Sequence, residues 1–273
     1  MAFVARHWGT LSIWSLLMLL LAGVYAASLM SPYRAPFLSG WLLFGLVLIL
    51  VTCNYLKRLA FLSSDRPLDW FRIHVSAGLL TIGVFILHIG LRVPNGPLEL
   101  TLALLYAAVA VSGLVGLVLS RMLPRRLATH GEKVIFERIP TMRNNLREKV
   151  EAVVERTVSE SRSMMLADFY DRRLASFIEG PRNYWGHLFA STGFRQALLT
   201  ELSALDRFLS EKERGSLEEL GDLIRMKDDL DFQEALQGTL KYWLFIHIPL
   251  SYSLLILALV HAVVVSAYTV GGH

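Results

Sequence analysis

Hydrophobic and polar positions along this chain fall into long blocks rather than into one periodic pattern. Four apolar runs, Trp8–Met30, Phe37–Leu56, Ile73–Leu91 and Leu98–Leu119, fill the first half, and a fifth covers Tyr242–Tyr268. Each reaches the ~20 residues that a helix needs to cross the hydrocarbon core of a bilayer. The first run, preceded by Arg6 and with small residues at Ala26–Ser28, is too long for the apolar region of a signal peptide and reads as a span. Breakers agree with the cuts: Ser31-Pro32 and Ala35-Pro36, Arg66-Pro67, Pro94-Asn95-Gly96-Pro97, and Leu123-Pro124, which is expected to end the fourth span.

Between the fourth and fifth runs the pattern changes. Leu146, Val150, Val153 and Val154 recur at helical spacing, as do Phe194, Leu198, Leu202, Leu205, Phe208 and Leu209. Gly180-Pro181 and Gly193 divide the segment, and Ser216-x-x-Glu219 predicts a capping box that opens a helix through Leu220 and Ile224. The expected fold is all-α: a membrane bundle of five transmembrane helices with a helical cytoplasmic insert between helices 4 and 5. Residues 1–121 carry the first four helices, 122–240 the insert, and 241–273 the fifth helix with a short tail.

Charge follows the same division. Of 27 Lys and Arg and 23 Asp and Glu, residues 1–121 hold 8 basic and 3 acidic, and residues 241–273 hold only Lys241. The insert's charges nearly cancel, as on a solvated face rather than a polybasic lipid-binding patch. The net +4 is not gathered into a basic stripe, which excludes a nucleic-acid binder. A single cysteine, Cys53, excludes a disulfide framework, a Cys-ligated zinc or iron–sulfur site within the chain, and Cys-x-x-Cys-His haem attachment. Lys57, Arg58, Arg66 and Arg72 follow the second run and Arg121, Arg125 and Arg126 the fourth, whereas the opposite loops offer only Arg34 and Arg92. The positive-inside rule then places the N-terminus and the insert in the cytoplasm and the C-terminus outside. An integral protein of a bacterial inner membrane is expected, with lipid as its solvent.

The histidines change the picture. Of eight, four lie inside the apolar runs, on only two of them: His74 and His88 on the third, His247 and His261 on the fifth. Both pairs are 14 residues apart, so at ~100° per residue each pair shares a helix face, separated by about 21 Å along the axis. The two helices run in the same direction. His74 and His247 therefore lie at one depth near the cytoplasm, and His88 and His261 at another near the opposite side. Two facing imidazoles at each of two depths describe two stacked bis-histidine sites for haem b. A lone intramembrane histidine is often a hydrogen-bonded helix contact, but four in matched pairs exceed what incidental contacts supply. A single metal ion cannot share both layers, and the run interiors contain no Asp or Glu to complete a carboxylate site or a proton relay.

The neighbouring residues suit a macrocycle. Helical steps from the histidines bring up Gly78, Thr81 and Phe85 on the third run, and Ser251, Leu254 and Ala258 on the fifth. Small residues leave room, and Ser or Thr can orient an imidazole. Gly40, Gly45, Gly113 and Gly116 serve either a haem or close helix packing. Pro249 is expected to kink the last span. Arg72 and Lys241 border the inner layer, and Arg34 and Arg92 the outer. They are candidates for pairing with haem propionates, the alternative being snorkelling at the interface.

The four-histidine pattern resembles the dihaem membrane cytochromes b. It is similar to the cytochrome b of the quinol–cytochrome c oxidoreductase complex, where two parallel helices each carry two ligands about four turns apart. It also resembles five-span haem subunits such as the gamma subunit of respiratory nitrate reductase. The Pro-Glu-Trp-Tyr motif of the former's quinol-oxidising site is absent. The ligand spacing also departs from the unequal spacing of the latter. The resemblance implies electron transfer between a quinone pool and a redox partner within a complex of membrane subunits. Two other readings stand beside it: a transmembrane reductase fed by a cytosolic flavoprotein, and a non-redox scaffold or transporter subunit. The insert has no Gly-rich phosphate loop after a strand, so it reads as a helical cap that docks other subunits or covers the inner haem. His130, Glu132 and His187 in it read as loop or structural residues.

Overall fold

The computed structural model describes residues 35–56, 67–90, 92–128, 134–161, 164–189 and 193–270, together with Gly23 and Ala26. The rest of the first apolar run, Arg34, the turn with Lys57, Arg58 and Arg66, His130, Glu132 and His273 lie outside the described residues. Every regular element described is helical: α1 (Ala35–Leu56), α2 (Pro67–Ile89), α3 (Pro97–Leu127), α4 (Ile139–Ser161), α5 (Met165–Phe169), α6 (Ala175–Ile178), α7 (Tyr184–Leu188), α8 (Gly193–Ala204) and α9 (Glu211–Val270). A π turn at Tyr170–Leu174 and single 3₁₀ turns at Phe136–Arg138 and Asp206–Phe208 complete the set. The all-helical expectation is met, and three helices are long and apolar enough to cross a membrane, within Phe71–Ile89, Pro97–Leu127 and Glu213–Tyr268. A shorter apolar stretch covers Pro36–Thr52.

The chain divides into two compact units, one from residues 1–118 with 243–273, the other from Leu119–Tyr242. In the first, α1 and α2 pack through Leu42, Leu43 and Leu46 against the buried Leu80 and Val84. Val47 of α1, Tyr106 of α3 and Leu254 of α9 meet in a second cluster joined by Phe85 of α2. Large apolar side chains such as Leu104, Val111, Phe245 and Ile256 stay on the outside, where lipid rather than water suits them.

The second unit has a conventional core, in which Leu146, Val150 and Val153 of α4 meet Leu166, Phe177, Leu202, Leu220 and Ile224. It also buries charge. Lys227 is 0% exposed, and its Nζ lies 2.6 Å from Asp231 Oδ2 and 2.9 Å from the Gly180 carbonyl. Burial pushes the ammonium down from the lysine range and the carboxyl up from the carboxylate range, while their mutual attraction works against both shifts. Arg143 pairs with Glu234 and approaches Asp231 at 3.8 Å. His187 Nε2 lies 3.5 Å from Asp228 Oδ1, and burial holds its imidazole below the ordinary histidine range.

Two local expectations are corrected. Pro124 does not end its helix: α3 runs on to Leu127, because a proline removes only its own N–H from the ladder and later residues still donate, as Ala128 N–H does to the Pro124 carbonyl at 3.1 Å. The capping box opening α9 is not at Ser216, which lies inside the helix. Ser210 and Glu213 supply it: the Ser210 N–H and hydroxyl both donate to Glu213 Oε2 at 2.8 Å. α9 then continues without interruption through Pro249.

Candidate functional site

Within the first unit, all four helices contribute to an apolar cavity of about 490 Å³. His88 of α2 and His261 of α9 both line it, 173 residues apart in sequence. Aromatic walls come from Phe37, Trp41, Phe44, Phe85 and Tyr106, and Ala258 and Ala262 keep the α9 side shallow. Charge enters through Arg92 and Glu99, both exposed. The volume and the character, mostly apolar with a few polar groups, are those of a small-molecule or cofactor pocket.

His88 is held by α1. Its Nδ1 lies 3.0 Å from the Pro36 carbonyl and 3.2 Å from Ser39 Oγ, and the Ser39 hydroxyl also donates to the Pro36 carbonyl at 3.1 Å. A carbonyl only accepts, so Nδ1 carries the proton and Nε2 keeps its lone pair in the neutral imidazole. This arrangement leaves one nitrogen free to bind a metal while the other is locked. Gly40 makes the approach possible: a Cβ there would sit 2.9 Å from His88 Cε1. His261 presents the complementary feature, a buried Nδ1 with no hydrogen-bond partner. Buried polar atoms are rarely left so, and those that are call for a bound group or water.

The second predicted pair is placed differently. Neither His74 nor His247 lines this cavity. His247 turns toward α3: its Nδ1 lies 3.2 Å from Ser112 Oγ and its ring stacks on Trp243 at 5.1 Å. Trp243 in turn donates its indole N–H to the Ser112 carbonyl at 2.8 Å. Gly116 admits that indole, because a Cβ would run into the ring, and Gly113 would bring a Cβ to 3.8 Å from His247 Cε1. His74 is half-buried on α2, and a Cβ on Gly78, one turn along, would meet nothing within 4 Å.

The remaining sequence-predicted residues are scattered. Arg92 lines the cavity, and Arg72 is exposed on α2. Lys241 belongs to the second unit, where it pairs with Glu137 and lies 4.0 Å from the centre of the Phe136 ring. Ser251 donates to the His247 carbonyl of its own helix at 2.8 Å. Thr81 accepts from the Tyr106 hydroxyl at 3.0 Å, while Tyr106 stacks on Phe85 at 4.0 Å. Ser39, Ser112, Trp243 and Glu99 went unnoticed in the sequence, and Pro36 was read only as a breaker. Serines inside apolar runs were the signal, since a hydroxyl in a span has to find a partner.

Among the described residues no group of three or more His, Cys, Asp or Glu side chains is arranged to hold a metal ion. Comparison with family models, curated proteins and solved structures finds no match to this chain.

Proposed function

We propose that the chain is a membrane cytochrome b, which carries electrons between the quinone pool and a partner subunit of a membrane redox complex. The observation supporting this reading is the shared cavity of His88 and His261, with a locked Nδ1 on one imidazole and an orphaned Nδ1 on the other. The reading has five spans, with the N-terminus and the 122–240 insert in the cytoplasm of a bacterial cell and the C-terminus outside. Two haem b groups are held, one by His88 and His261, the other by His74 and His247.

His88 and His261 would hold such a haem, and it would supply a one-electron couple there. The chain's own residues do the rest. The Pro36 carbonyl and Ser39 hold the His88 tautomer, which leaves Nε2 as the ligating atom. Phe37, Phe85 and Tyr106 keep water away from the site and lower its dielectric. Arg92 offers a guanidinium at the cavity for the carboxylates that a haem carries.

Single substitutions test the pairing. His88→Ala, purified from cells able to make haem, is expected to lose one of two haems per chain, and His88→Ala with His261→Ala to lose no more than that one. His74→Ala is expected to remove the other. Loss of both haems from His88→Ala in a chain that still melts cooperatively contradicts the pairing.

A further inference from the structure

The second unit carries an exposed aromatic pair on a firmly held support. α7 has only five residues, too few to stand as an isolated helix. The segment is tied down at both ends. Lys227 Nζ donates to the Gly180 carbonyl at 2.9 Å, and the Arg182 N–H donates to Asp231 Oδ2 at 3.1 Å. Asn183 then turns the chain with φ of 58°, a left-handed conformation that Asn tolerates better than most residues. Tyr184 and Thr239 share a hydrogen bond of 2.6 Å, and the Arg126 guanidinium donates to the carbonyls of both His187 and Leu188. Leu188 and Tyr184 pack on Leu123 and Leu236.

Held in this way, the segment presents Trp185 and Phe189 outward, 67% and 76% exposed. Their rings stack on each other at 6.2 Å, with 16° between planes. Two large aromatic rings held together in water are costly unless something covers them.

The position along the chain says what covers them. Arg126, which grips the carbonyls of His187 and Leu188, follows the end of the fourth apolar run at Leu119 by seven residues. At 1.5 Å per residue that is about 10 Å of helix. A headgroup layer is about 5–8 Å thick on each side of the hydrocarbon, so Arg126 stands at its water side and Arg121 within it. Exposed Arg121 and Arg125 occupy the same stretch of α3, with exposed Met122 between them. Exposed Tyr242 marks the start of the fifth apolar run in the same way. Aromatic rings and basic side chains at such a level are the composition of a membrane–water boundary.

We propose that α7 is an interfacial anchor, with Trp185 and Phe189 seated in the headgroup layer of an anionic phospholipid leaflet and Arg121 and Arg125 meeting its phosphates. The 122–240 segment then touches lipid in spite of its balanced charge. The inference rests on the membrane placement of the chain and not on haem.

Spin labels test it. In a Cys53→Ser background, Trp185→Cys, Phe189→Cys, Val111→Cys and Arg172→Cys are each labelled with a nitroxide. The full-length protein is then placed in phosphatidylcholine–phosphatidylglycerol vesicles. Collision with oxygen reports lipid, and collision with a water-soluble nickel chelate reports water. Labels at 185 and 189 are expected to lose most of the nickel collisions seen at 172, an exposed position of the same unit, while oxygen collisions rise toward those at 111. Nickel collisions at 185 equal to those at 172 overturn the anchor, and so does shielding from both reagents, which marks a protein partner instead. A label at 111 that itself collides freely with nickel overturns the membrane reading, a distinct failure.

Discussion

The two units of this chain are built inside out with respect to each other. The first keeps Leu104, Val111, Phe245 and Ile256 on its outside and hides Ser39, Ser76 and Thr81 within. The second hides Leu146, Val150, Leu220 and Ile224 and keeps most of its charges outside, with Glu213, Lys227, Asp228 and Asp231 the buried exceptions among the described residues. In water, apolar burial drives folding. Between helices in lipid that drive is gone, and close packing and hydrogen bonds across helices take its place. The difference teaches that a leucine means opposite things in the two units, and that a buried polar group has to be explained in each on its own terms.

The comparison can be broken at its most exposed point, the buried ion pair. Lys227→Met leaves Asp231 buried without its nearest cation. It is expected to cost about 3–5 kcal/mol, read as a lower thermal midpoint of the full chain in detergent. An unchanged midpoint means the pair is not buried in solution.

A sharper contrast comes from removing aliphatic bulk in each unit. Leu220→Ala, at a 0% exposed site, is expected to cost about 2–5 kcal/mol by leaving a cavity. Val111→Ala, 61% exposed on α3, is expected to stay within about 0.5 kcal/mol. Similar costs at both sites would erase the distinction between the units.

Within the first unit, Gly40→Ala pushes a Cβ against the His88 ring. Overpacking of this kind costs about 1–3 kcal/mol, and here it falls on the imidazole position. A weakened histidine site in a folded protein is expected, with Gly45→Ala, where nothing lies within 4 Å of the new Cβ, as the silent control.

The smallest effect is a pH dependence confined to the second unit. The folded His187 imidazole titrates below its ordinary value of 6.5, so between the two values the unfolded chain binds more protons than the folded one. Stability therefore falls as pH drops through the ordinary histidine range and is regained as it rises. His187→Gln is expected to flatten that slope in thermal melts taken across weakly acid pH, and an unaltered slope assigns it to another group.

What the sequence revealed depended on how local the signal was. The apolar runs of α1, α2, α3 and the end of α9 announce themselves by length and hydropathy, as do the helix-spaced Leu146, Val150 and Val153 of the second unit. The capping box was ambiguous because Ser-x-x-Glu occurs twice within ten residues. The decision falls to Leu209, whose extended backbone, with ψ of 145°, breaks the chain just before Ser210. Lys227 and Asp231 look like an ordinary surface pair one helical turn apart, and only the packing of Phe177 and Gly180 over them reveals burial. At the candidate site, the histidine spacing singles out His88 and His261. Their surroundings were not legible, because Pro36 and Ser39 reach His88 across about 50 residues of chain. His247 finds Ser112 and Trp243, a pairing that helical periodicity on its own helix does not determine.

The central claim is that paired histidines in the apolar unit hold haem, and the most direct measurement is a dithionite-reduced minus oxidised absorption spectrum of the purified full-length protein, with the haem extracted and counted. Two b-type haems per chain are expected, with the sharp reduced bands of six-coordinate bis-histidine iron. A folded, colourless protein from haem-replete cells contradicts the claim.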